Sequence, residues 1–225
     1  SVLLISPFAA SARRLRANDG RLTPVGIFAD TPLSIVVQES VPGRNLSGML
    51  AAVRASGRKL RMTVPLKGSP GEMCAQQLSA KLGADVIELV QAGSEAAAFA
   101  EVANGRADLT CLNTASVRGA LTNTKAKLRE IAEIRSSSSP LARMQVAAAS
   151  AQGFDVIAPN WIGLYAPAGI SAGRLEQLSQ ALGRVQSDPA AVQSLTRQHA
   201  LPVTSDQATA EGLLQSLRLA VTLQR

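Results

Sequence analysis

The chain has 225 residues, 46% of them hydrophobic but only 3% aromatic, and carries a formal net charge of +7. That length fills one large domain or two small lobes, with cores built from Ala, Leu, Val and Ile. The basic residues are dispersed, with Arg13-Arg14-Leu15-Arg16 and Arg58-Lys59-Leu60-Arg61 as short groups only, which argues against nucleic acid as a partner; no apolar run is long enough for direct membrane insertion.

Along the chain, Val2 to Ile5 reads as a buried strand rather than a signal peptide, because no basic residues precede it. It enters a helix near Pro7, followed by a turn at Asn18-Asp19-Gly20. Val25 to Ala29 and Leu33 to Gln38 are β-rich runs separated by Asp30-Thr31-Pro32. Asn45 caps a helix that shows Leu46, Met49, Leu50 and Val53 on one face and stops at Gly57. Strands at Leu60 to Val64, Val86 to Val90 and Ala107 to Leu112 alternate with helices ending at Leu82 and Ala103, the spacing of βαβ units. The segment from Leu121 to Ala151 is less regular: Ser136 to Pro140 reads as a polar loop and Ala147 to Ala151 as helix. An apolar strand from Trp161 breaks at Pro167 and Gly169, and helical periodicity begins at Ser171. Leu175, Leu178, Leu182 and Val185 form one core stripe, Val192 and Leu195 a second, and Leu213, Leu214, Leu217 and Val221 a third.

Little of this supports an enzyme. The lone His199 has no nucleophile or carboxylate beside it, and there is no nucleophile elbow, P-loop or dinucleotide fingerprint. Glu130 and Glu133 read as a solvated face. Cys74 and Cys111, far apart in sequence, either pair in an oxidising compartment or remain two buried thiols; their apolar surroundings favour thiols. No metal site of the usual ligand spacing is visible and no cofactor is expected.

The loop Gly68-Ser69-Pro70-Gly71, between a strand and a helix, is the strongest physical candidate for a binding site. Unpaired N–H groups and the helix dipole favour an anion there, and Ser69 adds a hydroxyl; an ordinary turn and cap is the plain alternative. Asn113 and Thr114 end a strand where open α/β sheets bind ligands, with helix capping as the alternative. Asp108 is expected to order its own turn.

The segment Trp161-Ile-Gly-Leu-Tyr-Ala-Pro-Ala-Gly-Ile170 resembles the W-x-G-L-x-A-P-A-G-x-P segment of the tripartite tricarboxylate transporter receptors, also called the Bug receptors. Thr23-Pro24-Val25-Gly26, Gly105-Arg106-Ala107-Asp108 and Asp188-Pro189 agree with the same family, and Gly68 to Gly71 is similar to its S-P-G-x-G-S loop. The family's P-T-x-x-E-x-G stretch is reduced here to Ala151-Gln152-Gly153-Phe154.

The resemblance implies an α/β fold of the two-lobed periplasmic binding protein type 2 kind, with mixed sheets flanked by helices. Residues 1–59 and 162–225 would form lobe one and 60–161 lobe two, with crossings near Arg58 to Met62 and Asn160 to Tyr165. It implies a non-enzymatic periplasmic receptor that captures a small carboxylate by hinge closure and delivers it to membrane transporter subunits. Its ligand contacts would be Gly68, Ser69, Pro70, Gly71, Glu72, Met73, Gly93, Ser94, Asn113 and Thr114.

The chain departs from the family at Glu72, Met73 and Cys74, where small or hydroxyl residues are usual, and at Gln91 and Ala92, where the family has tyrosine and lysine. A Glu72 carboxylate would either repel an anionic ligand or itself satisfy the helix N-terminus. The family's first strand, loop and helix precede anything matched here. The chain then reads as a trimmed receptor, a short form with half a site, or a relative recruited to partner binding without a small ligand. An effector-binding domain of a regulator is a further alternative.

Overall fold

A computed structural model of the chain describes residues 3–5, 22–83, 85–134, 146–203, 205, 207–208 and 210–212. The expected helix near Pro7, the turn at Asn18, the Ser136 loop and the stripe beginning at Leu213 lie outside them. The chain is mixed α/β and divides into two compact units.

The first unit contains a four-stranded sheet in the order β1 (Leu3–Ile5), β8 (Trp161–Pro167), β2 (Leu22–Asp30), β9 (Leu201–Pro202). All of its pairings are antiparallel. Alternation in β8 sends Trp161, Gly163 and Tyr165 to one side. The two aromatic residues are 1% and 2% exposed. The glycine between them is a packing requirement: a Cβ there would lie 2.7 Å from the Tyr165 ring and 3.0 Å from the Trp161 ring.

Against this sheet packs α5 (Ala172–Ser187), through Leu182 with Val25 and Ala166, flanked by Leu175 and Leu178. Val185, expected in that stripe, is 42% exposed. Gln186 turns inward instead, because its Nε2 bonds the carbonyls of Ile27 and Val203, each at 2.7 Å. Asp188 caps α6 (Pro189–Arg197).

In the second unit the sheet order is β5 (Ile87–Gln91), β4 (Leu60–Val64), β6 (Leu109–Asn113), β3 (Leu33–Gln38), β7 (Leu128–Ile134). β4 is parallel to β5 and β6, while β3 is antiparallel to β6 and β7. Both faces are covered, which explains the nearly continuous apolar runs in β3 and β6. Adjacent residues of β6 point to opposite faces. Cys111 meets α2 (Pro70–Leu82), whereas Leu112 joins Val36, Ala98 and Val117, the last two from α3 (Glu95–Ala103) and α4 (Thr114–Asn123). α1 (Leu46–Ser56) begins at Asn45, whose side chain accepts the Gly48 N–H, and buries Leu46, Met49 and Val53.

Several expectations need correcting. The chain leaves the first unit between Thr31 and Pro32 and re-enters it between Ala158 and Pro159. The stretch Arg58 to Met62 is therefore inside the second unit, because β3 pairs with β6 and α1 follows it. At the boundary, Thr31 N donates to Asn160 O at 2.6 Å and Asn160 Nδ2 donates to Thr31 O at 2.7 Å. The irregular stretch after Leu121 contains strand β7. Ala147 to Ala151 is not an α-helix: Ala148 bridges to Glu133, and a 3-10 turn runs Ser150–Gln152. Gln152 holds that turn by accepting the Leu46 N–H and donating to Ile131 O.

Replacing Gly163 with alanine forces the two aromatic rings apart and should destabilise the protein by about 1–3 kcal/mol, as overpacking does. Urea unfolding of Gly163→Ala checks this; an unchanged midpoint would show that the rings can move freely.

Candidate functional site

Because β4, β5 and β6 are parallel, their carboxyl ends share one edge of the second sheet. Each hands the chain to a helix whose cap is a short polar residue: Ser69 for α2, Ser94 for α3 and Asn113 for α4. The register sets Val64 opposite Gln91, and Ala92 N donates to Val64 O at 2.8 Å. Helix N-termini gathered at such an edge are where open α/β sheets present donors to a ligand.

Gly71 brings the first loop close to β6. A Cβ there would lie 2.6 Å from the Cys111 carbonyl oxygen and 2.6 Å from the Pro65 ring, so only glycine fits. Cys74, one turn later, forms a disulfide with Cys111. This corrects the expectation of two thiols: burial in apolar segments is what brings the two residues together, with Cα atoms 6.4 Å apart. The bridge joins the second turn of α2 to β6, two residues before Asn113.

Ser69 Oγ accepts the Glu72 N–H at 3.1 Å, and Pro70 occupies the first helical position. Glu72 is 9% exposed. Its Oε2 accepts the Gly68 N–H at 2.5 Å and its Oε1 accepts from Gln91 Nε2 at 3.3 Å. The arrangement is a variant of the capping box, reaching one residue further back. A carboxylate of the chain thus sits where an anion would be received.

At the neighbouring termini, Ser94 Oγ accepts the Ala97 N–H at 3.1 Å and Asn113 Oδ1 accepts the Ala115 N–H at 3.0 Å. Glu95 crosses from α3 to α4, accepting from Asn113 N at 3.4 Å and from Ser116 Oγ at 3.1 Å. Gly68, Gly93 and Ser94 are exposed and Asn113 is half-buried.

Gly68, Ser69, Pro70, Gly71, Glu72, Gly93, Ser94 and Asn113 are therefore placed along one edge. Met73 and Thr114 are not presented there: Met73 is 5% exposed, and Thr114 is fully buried with its hydroxyl 2.8 Å from that of Ser34. Asp108 lies at the opposite edge, and its side chain ties the start of β6 to β4 and the residues before it instead of ordering its own turn: Oδ2 accepts the Arg61 N–H at 2.8 Å and Oδ1 pairs with Arg58. His199 follows α6, with its backbone N–H bonded to Thr196 O.

Sequence reasoning missed two features of this region. Glu95 was hidden as an ordinary acidic residue in a helix's first turn. Glu130 and Glu133 are not a solvated face, their side chains being 7% and 4% exposed beside Arg118. A bulge opposite Ile35 and Val36 inserts Ile131 into β7, so residues three apart turn toward one arginine. In the first unit, a depression at the start of α5 is lined by Pro167, Gly169, Ser171, Arg174 and Leu178.

The model of the tripartite tricarboxylate transporter family receptor matches residues 12–218. The chain belongs to that family. Members of this receptor family are periplasmic solute receptors, not enzymes. A protein from Agrobacterium vitis, described as the UPF0065 protein in the TAR-I ttuE-ttuC' intergenic region, is 25% identical over 206 residues. That match takes in 88% of this chain, which spans 56% of the length of that curated relative.

Among solved structures, Rpa4515 of R. palustris with adipate superposes with a TM-score of 0.71 at 19% identity, over 88% of this chain and 66% of that one. MatC from Rhodopseudomonas palustris with bound malate gives 0.69 at 19% identity, over 96% and 74%. A TctC solute-binding protein from Polaromonas gives 0.71 at 16%, over 96% and 74%. These likenesses establish the receptor fold.

The disulfide closes a loop with a sequence separation of 37, for which chain entropy predicts a contribution of about 4 kcal/mol. The Cys74→Ser/Cys111→Ser variant should unfold at correspondingly lower denaturant concentration. Intact-mass analysis should find no alkylated thiol in the unreduced, denatured protein; labelling there would contradict the bridge.

Proposed function

We propose that the chain is the solute-binding part of a periplasmic receptor that captures a small carboxylate and delivers it to membrane transporter subunits by hinge closure. The observation that carries the reading is the convergence of capped helix N-termini on one sheet edge, in a chain that belongs to a receptor family. The ligand contacts would come from the Gly68 loop, from Gly93 and Ser94, and from Asn113. A disulfide between α2 and β6 suits an oxidising compartment.

One observation favours a second reading, a relative that kept the fold for partner binding without a small ligand. Glu72 already occupies the Gly68 N–H and puts negative charge at the α2 terminus. An incoming carboxylate would meet a like charge and lose a donor. In the receptor reading, Glu72 limits affinity at this loop and leaves the ligand's anionic group to the neighbouring termini.

A thermal-shift screen of dicarboxylates, amino acids and aromatic acids separates the two. A ligand at a hundred times its dissociation constant adds about 2.7 kcal/mol, roughly 5–10 °C for a protein of this size. Silence across the screen would favour partner binding. Calorimetric titration of Glu72→Ser with malate should give affinity about tenfold higher than that of the unaltered chain, the effect of restoring one donor and removing a like charge. Unchanged affinity would mean that Glu72 does not face the ligand.

A further inference from the structure

The helix that follows Asn113 is held to the sheet by polar side chains as well as by Val117 and Leu121. Of α4, only Thr114 and Val117 are buried, with Leu121 partly so. Its first residue is fixed twice. Thr114 N donates to Pro32 O at 2.8 Å, and Thr114 Oγ1 lies 2.8 Å from Ser34 Oγ on β3.

Ser34 has one hydroxyl proton, which it gives to Glu130 Oε1 at 2.6 Å, so Thr114 is the donor to Ser34. Arg118, one turn along α4, closes the chain of bonds. Its Nε donates to Glu130 Oε2 at 3.2 Å and its Nη2 to Glu130 Oε1 at 3.0 Å, a bidentate fork. Glu133 stands 3.9 Å from the same Nη2. The Arg118 and Glu130 side chains are 12% and 7% exposed, so the pair is little screened by solvent.

These bonds run from β3 and β7 to the first two turns of α4. They hold the helix terminus directly after Asn113, the last residue of β6, which also pairs with Leu33 of β3. Neither Arg118 nor Glu130 belongs to the set of ligand contacts.

We propose that Arg118 and Glu130, acting through Ser34 and Thr114, are positioning residues for the Asn113 end of the ligand site. The inference rests on the receptor reading for its functional consequence and on the geometry alone for its structural one. A double-mutant cycle read by calorimetric titration with malate tests the functional part. Glu130→Gln should weaken binding about tenfold in the unaltered chain and have no further effect in an Asn113→Ala background. Equal losses in both backgrounds would overturn the proposal, because the network would then act elsewhere.

Hydrogen exchange tests the structural part without ligand. Peptides covering 113–123 should exchange about tenfold faster in Glu130→Gln, with the α2 peptide 70–82 unchanged. Ser34→Ala, which leaves the ion pair in place, should show the same local pattern if Glu130→Gln fails to fold. Unchanged exchange, or equal acceleration in both peptides, overturns the anchoring role. Absence of malate binding to the unaltered chain would count against malate as ligand, while the exchange result still decides whether the network anchors α4.

Discussion

Parallel strands cannot be joined by a tight turn, so β4, β5 and β6 must each be followed by a crossover, and in this chain each crossover begins with a helix at the same sheet edge. The candidate site is a consequence of that constraint. Three helix N-termini, with their unpaired donors and partial positive charge, are gathered at one edge by backbone topology before any side chain is chosen. Side chains then decide how much of that potential remains for a ligand. Ser69, Ser94 and Asn113 each take one donor, a usual cap, and Glu72 and Glu95 take more.

The net charge of +7 does not settle what this edge attracts. Charges farther apart than about 10 Å are largely screened at physiological salt, so the local groups dominate. Locally the buried carboxylate is Glu72, held by a main-chain N–H and a glutamine instead of a cation. Glu130 is treated differently, paired in a fork with Arg118 and braced by Ser34. One carboxylate sits at the candidate edge, and the other bonds the sheet to the helix that starts there.

The parts of the fold that were readable in the sequence were those governed by local periodicity and caps. Asn45, Ser69 and Ser94 each precede a helix, and the apolar runs of β3, β4 and β6 are strands. What failed was non-local. Strand β7 hides behind charged residues because a bulge and a partner on α4, distant in sequence, convert two glutamates from surface to interior. The unit boundary at Thr31 is set by which strands β3 pairs with, and nothing at Arg58 announces that. Cys74 and Cys111 illustrate the same limit, since their apolar surroundings fit thiols as well as a bridge and only the approach of α2 to β6 selects one. The candidate site was legible as far as its loops were punctuated by Gly, Ser, Pro and Asn. The burial of Thr114 was not legible, because its residue type suits a cap and a buried donor equally well.

Rigidity is distributed unevenly along the edge. The α2 terminus is tied to β6 by the disulfide and by the close approach of Gly71, and the α4 terminus continues directly from β6 and is anchored through Ser34 and Glu130. These two ends therefore share one frame, the strand β6. The third loop has the Ala92 to Val64 main-chain bond on its strand side and the Ser94 cap on its helix side, and around Gly93 there is open space within 4 Å. Holding a bound group costs less ordering entropy where its partners are already fixed. On that argument the Gly68 and Asn113 ends of the candidate site are the preorganised part and the Gly93 turn the adaptable part. Under the proposed receptor reading, discrimination would depend most on Glu72 and Asn113, polar residues that the β6 frame fixes at the edge.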